Sequence, residues 1–339
     1  MEILIIGCGV SGLSTGVRLL EAGHRVRIWA KALPPDTTSN AAAALWYPYR
    51  AYPEEKVSAW GAVAYREFQR LAAQVSESGV LMANVLDLKT VPVADPWWVG
   101  GVDGFRHATP DELPPGYADA YVLDAPVMDT SAYLTWLRGR FETLGGTIER
   151  REVRDLAAAF AAGPIVINCA GLGARDLVGD HDIHPARGQV VRVRHTGFRR
   201  VLLDDEGPSA LAYIVPRVHD IVLGGIDEDD NESTAIEPAV RASILERCAR
   251  LVAHYDPAFA ASLRALHASL RAGETPGEGS AEIVSEGAGL RPVRSAIRLE
   301  RERVAPDRWL IHNYGHGGAG VTLSWGCAAE VVGLVAEIV

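Results

Sequence analysis

Glu2-Ile3-Leu4-Ile5-Ile6 runs straight into Gly7-Cys8-Gly9-Val10-Ser11-Gly12, and this junction constrains the fold more than any other stretch. The apolar, β-branched run reads as a strand buried on both faces. Apolar residues at helical spacing follow (Leu13, Val17, Leu20) and stop at Gly23, and Arg25 to Ala30 reads as a second strand. The result is a βαβ unit of about 30 residues opened by G-x-G-x-x-G. Gly7 allows the tight turn, Gly9 lets backbone approach a pyrophosphate, and Gly12 lets helix and strand pack closely. The helix N-terminus offers N–H groups and a positive dipole end to phosphates. Because the glycines follow a strand and open a helix, a dinucleotide site is favoured over a structural glycine turn. One part departs from the pattern. A carboxylate usually ends the second strand and holds the ribose hydroxyls; here Lys31 stands in that place, either facing a phosphate or solvated. That disfavours ordinary NAD binding.

The 339 residues fit two domains or one large one. With 48% hydrophobic residues and a mean hydropathy of +0.05 the chain is globular. Asp and Glu (43) outnumber Lys and Arg (33), and a net charge of −10 argues against a general nucleic-acid binder. Only Lys31, Lys56 and Lys89 are lysines, so a mechanism with a lysine base has to use one of these. Cys8, Cys169, Cys248 and Cys327 form no CxxC, which argues against a disulfide framework or a metal site and for buried thiols in a reducing compartment. There is no apolar run long enough for a membrane helix. The N-terminus lacks a basic leader and cleavage site, and Ala336 to Val339 is not a peroxisomal address, so a cytoplasmic protein is expected.

Further along, Glu54 to Ser76 has one apolar helical stripe. Residues 84–130 are strand-like and proline-rich, and Ser131 to Leu144 reads as a helix with Ser131 as its N-cap. Strands are expected at 147–153, 165–171, 189–193, 212–215, 220–224 and 310–314. Residues 236–270 read as helical, 272–287 as a loop, and Gly320 to Ile338 as the final helix. The α/β signals sit at both ends and the β-rich ones between them. The expected fold is α/β: a discontinuous Rossmann-like dinucleotide domain (1–50, 145–190, 286–339) and a β-rich α+β substrate-binding domain (51–144, 191–285).

Two further motifs carry chemistry. His312-Asn313-Tyr314-Gly315-His316-Gly317-Gly318-Ala319-Gly320-Val321-Thr322 places a glycine turn ahead of the last helix, where backbone N–H groups can face a cofactor. His316 is read as a hydrogen-bonded structural residue ahead of a catalytic one. In Gly289-Leu290-Arg291-Pro292, Pro292 pins the backbone after Arg291, and a fixed guanidinium suits bidentate capture of a carboxylate or a plain surface ion pair.

With these motifs together the chain resembles the D-amino-acid oxidases, the flavoprotein family that also contains D-aspartate oxidase. The resemblance runs from Glu2 to near Val339. It rests on the histidine–glycine signature continued by Gly326-Cys327-Ala328, on Thr37-Thr38-Ser39-Asn40-Ala41-Ala42-Ala43-Ala44-Leu45-Trp46, and on Ile167-Asn168-Cys169-Ala170-Gly171, Arg187-Gly188-Gln189, Tyr213-Ile214-Val215-Pro216 and Leu223-Gly224-Gly225, in order. It implies non-covalent FAD, with Gly7, Cys8, Gly9, Val10, Ser11 and Gly12, Thr37, Thr38 and Ser39, Ala43, Ala44 and Leu45, Val153, Ala170, Arg291, and Gly317, Gly318, Ala319, Gly320, Val321 and Thr322 around the cofactor. It implies that Arg291 binds the substrate carboxylate, that Tyr213 assists, and that the Gly318 carbonyl takes the amine. It also implies hydride transfer from the α-carbon to flavin N5 without a protein acid or base, O2 as the acceptor, and products 2-oxo acid, ammonia and hydrogen peroxide.

Departures from the family pattern bear on substrate. Ser209 stands where long-lid members carry a second tyrosine, and residues 202–211 are short, so product release is less gated. Asp204-Asp205-Glu206 and Ile226-Asp227 stand where D-aspartate oxidases carry arginines, which points to neutral or basic D-amino acids. D-aspartate oxidase or a glycine- or sarcosine-type oxidase of the same fold is the alternative. The expected partners are a small D-amino acid and O2, with no nucleic acid and no membrane. The oligomeric state is left open, a homodimer included.

Overall fold

Strand Glu2–Ile6 is the centre of a six-stranded sheet in the computed structural model, which describes residues 2–338. It pairs in parallel with Arg25–Ala30 on one side and Ile165–Asn168 on the other. Thr147–Arg150 extends the sheet beyond Arg25–Ala30. Arg308–Tyr314 continues it in parallel beyond Ile165–Asn168, and Arg298–Ala305 closes that edge antiparallel. Alternate residues of the first strand serve two cores, as a two-faced strand must. Ile3 and Ile5 pack with Leu13, Val17 and Val331 of helices Val10–Glu21 and Gly320–Ala336. Leu4 and Ile6 pack with Phe160, Val166 and Leu177 on the other face. This is the Rossmann-like half.

The second sheet has nine strands. Asp119–Met128 pairs with Val80–Lys89, and Val80–Lys89 runs parallel to Val201–Asp204. Ala212–Pro216, Asp220–Gly224, His184–Arg194 and Ile283–Val293 follow, antiparallel in turn. Helices Pro238–Val252 and Pro257–Ala272 bury Ile244, Leu245, Leu263 and Leu266 against one face of it. The other face (Val85, Leu123, Val190, Leu203, Val215) belongs to the same core as the first half. Strands His184–Arg194 and Ile283–Val293 each cross an expected segment boundary, at 190 and 286, and pair with each other along their length.

Local differences from expectation have physical causes. The loop expected over 272–287 already enters a strand at Ile283, whose partner lies in His184–Arg194, remote in sequence. The N-cap of helix Thr130–Thr143 is Asp129, whose carboxylate accepts from Ser131 N (3.1 Å) and Ala132 N (3.5 Å). The helical stretch 236–270 divides where Asp256 caps a new helix with Pro257 in its first turn. Among the described residues, no helix is long and apolar enough to cross a membrane, and no group of His, Cys, Asp and Glu could hold a metal. All four cysteines are free and buried.

Candidate active site

The glycine turn is held by close backbone contacts. Gly7 has φ +111°, and a Cβ there would lie 2.3 Å from Cys169 O. A Cβ on Gly12 would lie 2.0 Å from Gly7 O, so helix Val10–Glu21 sits hard against its strand. Gly9 caps this helix without a side-chain acceptor, and its own missing Cβ would meet only Ser39 Oγ, at 3.0 Å. The last helix, Gly320–Ala336, likewise starts without a side-chain cap, at Ala319. Two helix N-termini therefore face one long cavity of about 890 Å³. Gly7, Cys8, Gly9, Val10, Ser11, Thr37, Thr38, Ser39, Ala43, Ala44, Leu45, Val153, Ala170, Gly317, Gly318, Gly320 and Val321 line it, together with Tyr213 and Arg291. Gly12, Ala319 and Thr322 stand behind the wall. Thr322 accepts from Tyr47 N (3.1 Å) and donates to Tyr47 O (3.0 Å), fixing the segment after Leu45 to the last helix. The cradle fits a flavin dinucleotide: small residues, uncapped helix starts, and a volume near the upper end for a ligand site. Lys31 lines this cavity, and so does Asp36, a carboxylate a few residues past the strand end.

Arg291 lies near the end of strand Ile283–Val293, opposite Ala186. Its Nη1 donates to Asp227 Oδ1 (3.1 Å), Ile226 O (3.2 Å) and Arg187 O (3.3 Å), and its Nη2 donates to Ile226 O (3.2 Å). The Nε–H and one Nη2–H keep no protein acceptor among the described residues, and that edge is the one a carboxylate engages bidentately. Tyr213 lies opposite Gly224 in the sheet, and a Cβ on Gly224 would sit 2.0 Å from its Cζ. A Cβ on Gly188 would sit 2.7 Å from Arg291 Nη2. Gly188, Gly224 and Gly225 are thus the space that admits these two side chains. The sequence carried them only as family matches. Burial raises the Tyr213 phenol, and the Arg291 charge opposes it. The Tyr49 ring lies 5.8 Å from the Arg291 guanidinium carbon, and Tyr49 O accepts from Gly318 N (3.1 Å). Leu323 N–H, the last helix's first bond into the turn, goes to Ala319 O (3.0 Å), which leaves Gly318 O to other donors.

The acidic residues divide in a way their sequence does not show. Asp227 is neutralised: it accepts from Arg50 (2.8 Å) and the Tyr49 hydroxyl (2.7 Å) as well as Arg291. Asp204 turns inward, accepting from Gly207 N (2.6 Å), Ser209 N (2.7 Å) and the Tyr117 hydroxyl. Glu206 is exposed. Of these four, only Asp205 lines the cavity without a hydrogen bond or ion pair among the described residues; burial, then the charge of Asp87, pushes its carboxyl up to about 6. Residues 205–211 form a short, tied connection, with Pro208 O accepting from Arg250 (2.6 Å).

His316 is buried with its Nε2 3.0 Å from Asn313 Oδ1. Burial pushes its pKa down to about 4, so it is neutral in the folded protein. Its unfolded value is near 6.5. The unfolded chain therefore takes a proton that the folded chain refuses, and stability falls as pH drops from about 6.5 to 4, by roughly 3 kcal/mol. His316→Gln keeps an N–H for Asn313 and should remove that loss. Denaturant unfolding of both holoproteins at pH 7 and 4.5 checks it, and equal acid sensitivity would contradict it.

A Rossmann-like half with a glycine cradle, joined to a β-rich half that presents an arginine and a tyrosine to the same cavity, defines an FAD-dependent oxidoreductase. The model of the DAO family, described as FAD dependent oxidoreductase, matches residues 2–334, and the chain belongs to that family. It is 44% identical over 333 residues to a D-amino-acid oxidase of Rubrobacter xylanophilus, covering 98% of this chain and 94% of that one. It is 39% identical over 340 residues to a D-amino-acid oxidase of Dictyostelium discoideum, covering 99% and 91%. Glycine oxidase from Bacillus cereus has the same fold, with a TM-score of 0.77 at 20% identity over 99% of this chain and 95% of that one.

Proposed function

We propose that the protein oxidises neutral or basic D-amino acids to imino acids, which water hydrolyses to 2-oxo acids and ammonia while O2 is reduced to hydrogen peroxide. The observation that carries this is the open Nε/Nη2 edge of Arg291 beside Tyr213, in the cavity lined by the glycine cradle. Arg291 holds the substrate carboxylate, and the Tyr213 hydroxyl adds a hydrogen bond to it. Gly318 O accepts from the substrate amine. Two anchors fix the α-carbon in one orientation, and positioning of that kind is the protein's main contribution. FAD held by the glycine cradle would supply the oxidising equivalents, with O2 as the final electron acceptor.

No side chain of the chain has to remove a proton if the substrate reacts as a free amine. The lysines agree: Lys89 lies 2.8 Å from Asp87, Lys56 pairs with Glu330 (3.8 Å), and Lys31 stands at a strand end, where Arg150 donates to its carbonyl. Burial pushes the cavity-lining thiols of Cys8 and Cys169 up to about 12, which speaks against either as a point of covalent attachment. Segments 1–50, 145–190 and 286–339 are assigned to the cofactor and 51–144 and 191–285 to the substrate. The four free thiols support a cytoplasmic location.

The test is peroxide release by the holoenzyme. D-methionine and D-lysine should be oxidised, while L-methionine, glycine and D-aspartate give little. Preference for D-aspartate or glycine would point to the alternative oxidases, and no peroxide from any D-amino acid would sink the reading.

A further inference from the structure

Asp205 sits one residue past strand Val201–Asp204, in which Leu203 pairs with Tyr213. Leu203, Tyr213, Leu211 and Asp205 all line the cavity, as side-chain alternation from Leu203 requires. Asp205 therefore follows Leu203, the strand partner of Tyr213, onto the same cavity wall. Its charge also acts on Tyr47 and Tyr49, which line the same end.

The other carboxylates near it have partners. Asp87 accepts from Lys89 Nζ (2.8 Å) and Tyr47 hydroxyl (2.9 Å). Asp204 is taken up by two backbone N–H groups and Tyr117, and Asp227 by Arg50, Arg291 and Tyr49. Asp205 has no hydrogen bond or ion pair among the described residues. Asp205 is half-buried, and only the charge of Lys89 acts in its favour without bonding it; a partly buried carboxylate without a hydrogen-bond partner is costly, and a cation entering the pocket offsets that cost.

Resting on the oxidase reading above, we propose that Asp205 is a specificity-determining residue, and that it selects D-amino acids whose side chain ends in an ammonium or guanidinium. With the substrate carboxylate on Arg291, the flexible stem of a lysine or arginine side chain spans from Tyr213 to Asp205. A neutral side chain of equal length leaves Asp205 unpaired. An acidic one meets its charge, so the discrimination assigned to the whole acidic segment belongs to this residue.

The experiment compares D-lysine with D-norleucine, which has nearly the same shape without the charge, using the holoenzyme at about pH 7.5. The wild type should favour D-lysine in kcat/KM by about tenfold or more. Asp205→Asn should bring that ratio to about one, and Asp205→Glu should keep the preference. A wild type that favours D-norleucine overturns the assignment, and so does an Asp205→Asn ratio equal to wild type. Peroxide from D-norleucine upholds the parent reading whichever way the ratio falls. Absence of peroxide from every D-amino acid overturns both.

Discussion

Arg291→Ala should lower kcat/KM for a D-amino acid by about 10²–10³-fold while FAD stays bound. Removing one partner of a desolvated, hydrogen-bonded charge pair costs about 2–5 kcal/mol, and each 1.4 kcal/mol is tenfold. The loss should appear largely in KM, since the guanidinium holds a carboxylate that does not react. The fold should survive the change. Asp227, which bonds Arg291 at 3.1 Å, keeps Arg50 at 2.8 Å and the Tyr49 hydroxyl at 2.7 Å. Arg291→Lys should recover only part of the activity, because an ammonium keeps the charge and loses the planar fork. Steady-state kinetics with D-methionine, read beside the visible flavin absorbance, check this. A fall of less than about tenfold would contradict the carboxylate role. Loss of the flavin would make Arg291 a cofactor residue instead.

The cofactor half was legible because its signals are local. A strand, a turn that only glycine fits and a helix occupy neighbouring residues, so Glu2 to Gly12 states its own geometry. Gly315 and Gly317, with φ +80° and +55°, are equally local. The substrate end was legible only in part, because it is assembled by pairing between remote strands. The sequence singled out Arg291 and Tyr213, and both line the cavity, but the space they occupy comes from Gly188 and Gly224, on other strands. The Gly/Glu/Ser-rich stretch before Arg291 looked like a loop because its strand character comes from pairing with His184–Arg194.

Charge showed the same limit. Asp204-Asp205-Glu206 gives three negative residues and no directions. Parity within the sheet turns Asp205 toward the cavity, and Tyr117 and a turn of backbone take up Asp204. Asp227 looked like a repulsive group, yet Arg50 and Arg291 neutralise it. Of that run of like charges, therefore, one side chain, Asp205, lines the cavity without a partner among the described residues.

Replacing the glycines of the first turn should separate folding from cofactor binding. Gly12→Ala should lower the soluble yield and the melting temperature of the holoprotein. Its Cβ would lie 2.0 Å from Gly7 O and 3.0 Å from Gly7 C, both backbone atoms of the turn itself. Gly7 cannot retreat, because it is closed in by Cys169 O on its other side. Helix Val10–Glu21 would have to lift off the central strand and break the packing of Leu13 and Val17 on Ile3 and Ile5. Overpacking of this kind typically costs about 1–3 kcal/mol and occasionally more, a large share of a total stability of roughly 5–15 kcal/mol. Gly9→Ala should behave differently. Gly9 has φ −78° and ψ −173°, which alanine adopts freely, and its Cβ would meet only the end of the Ser39 side chain at 3.0 Å. The fold should persist with a melting temperature near that of the wild-type apoprotein, because the added methyl points into the cavity where a pyrophosphate approaches backbone. Its FAD affinity should fall about tenfold or more, since a close approach of backbone to phosphate is lost. Soluble yield and melting temperature of Gly12→Ala, and titration of Gly9→Ala apoprotein with FAD, measure the two effects. A Gly12→Ala protein that melts with the wild type, or a Gly9→Ala protein that binds FAD as tightly, would contradict the division of roles between the two glycines.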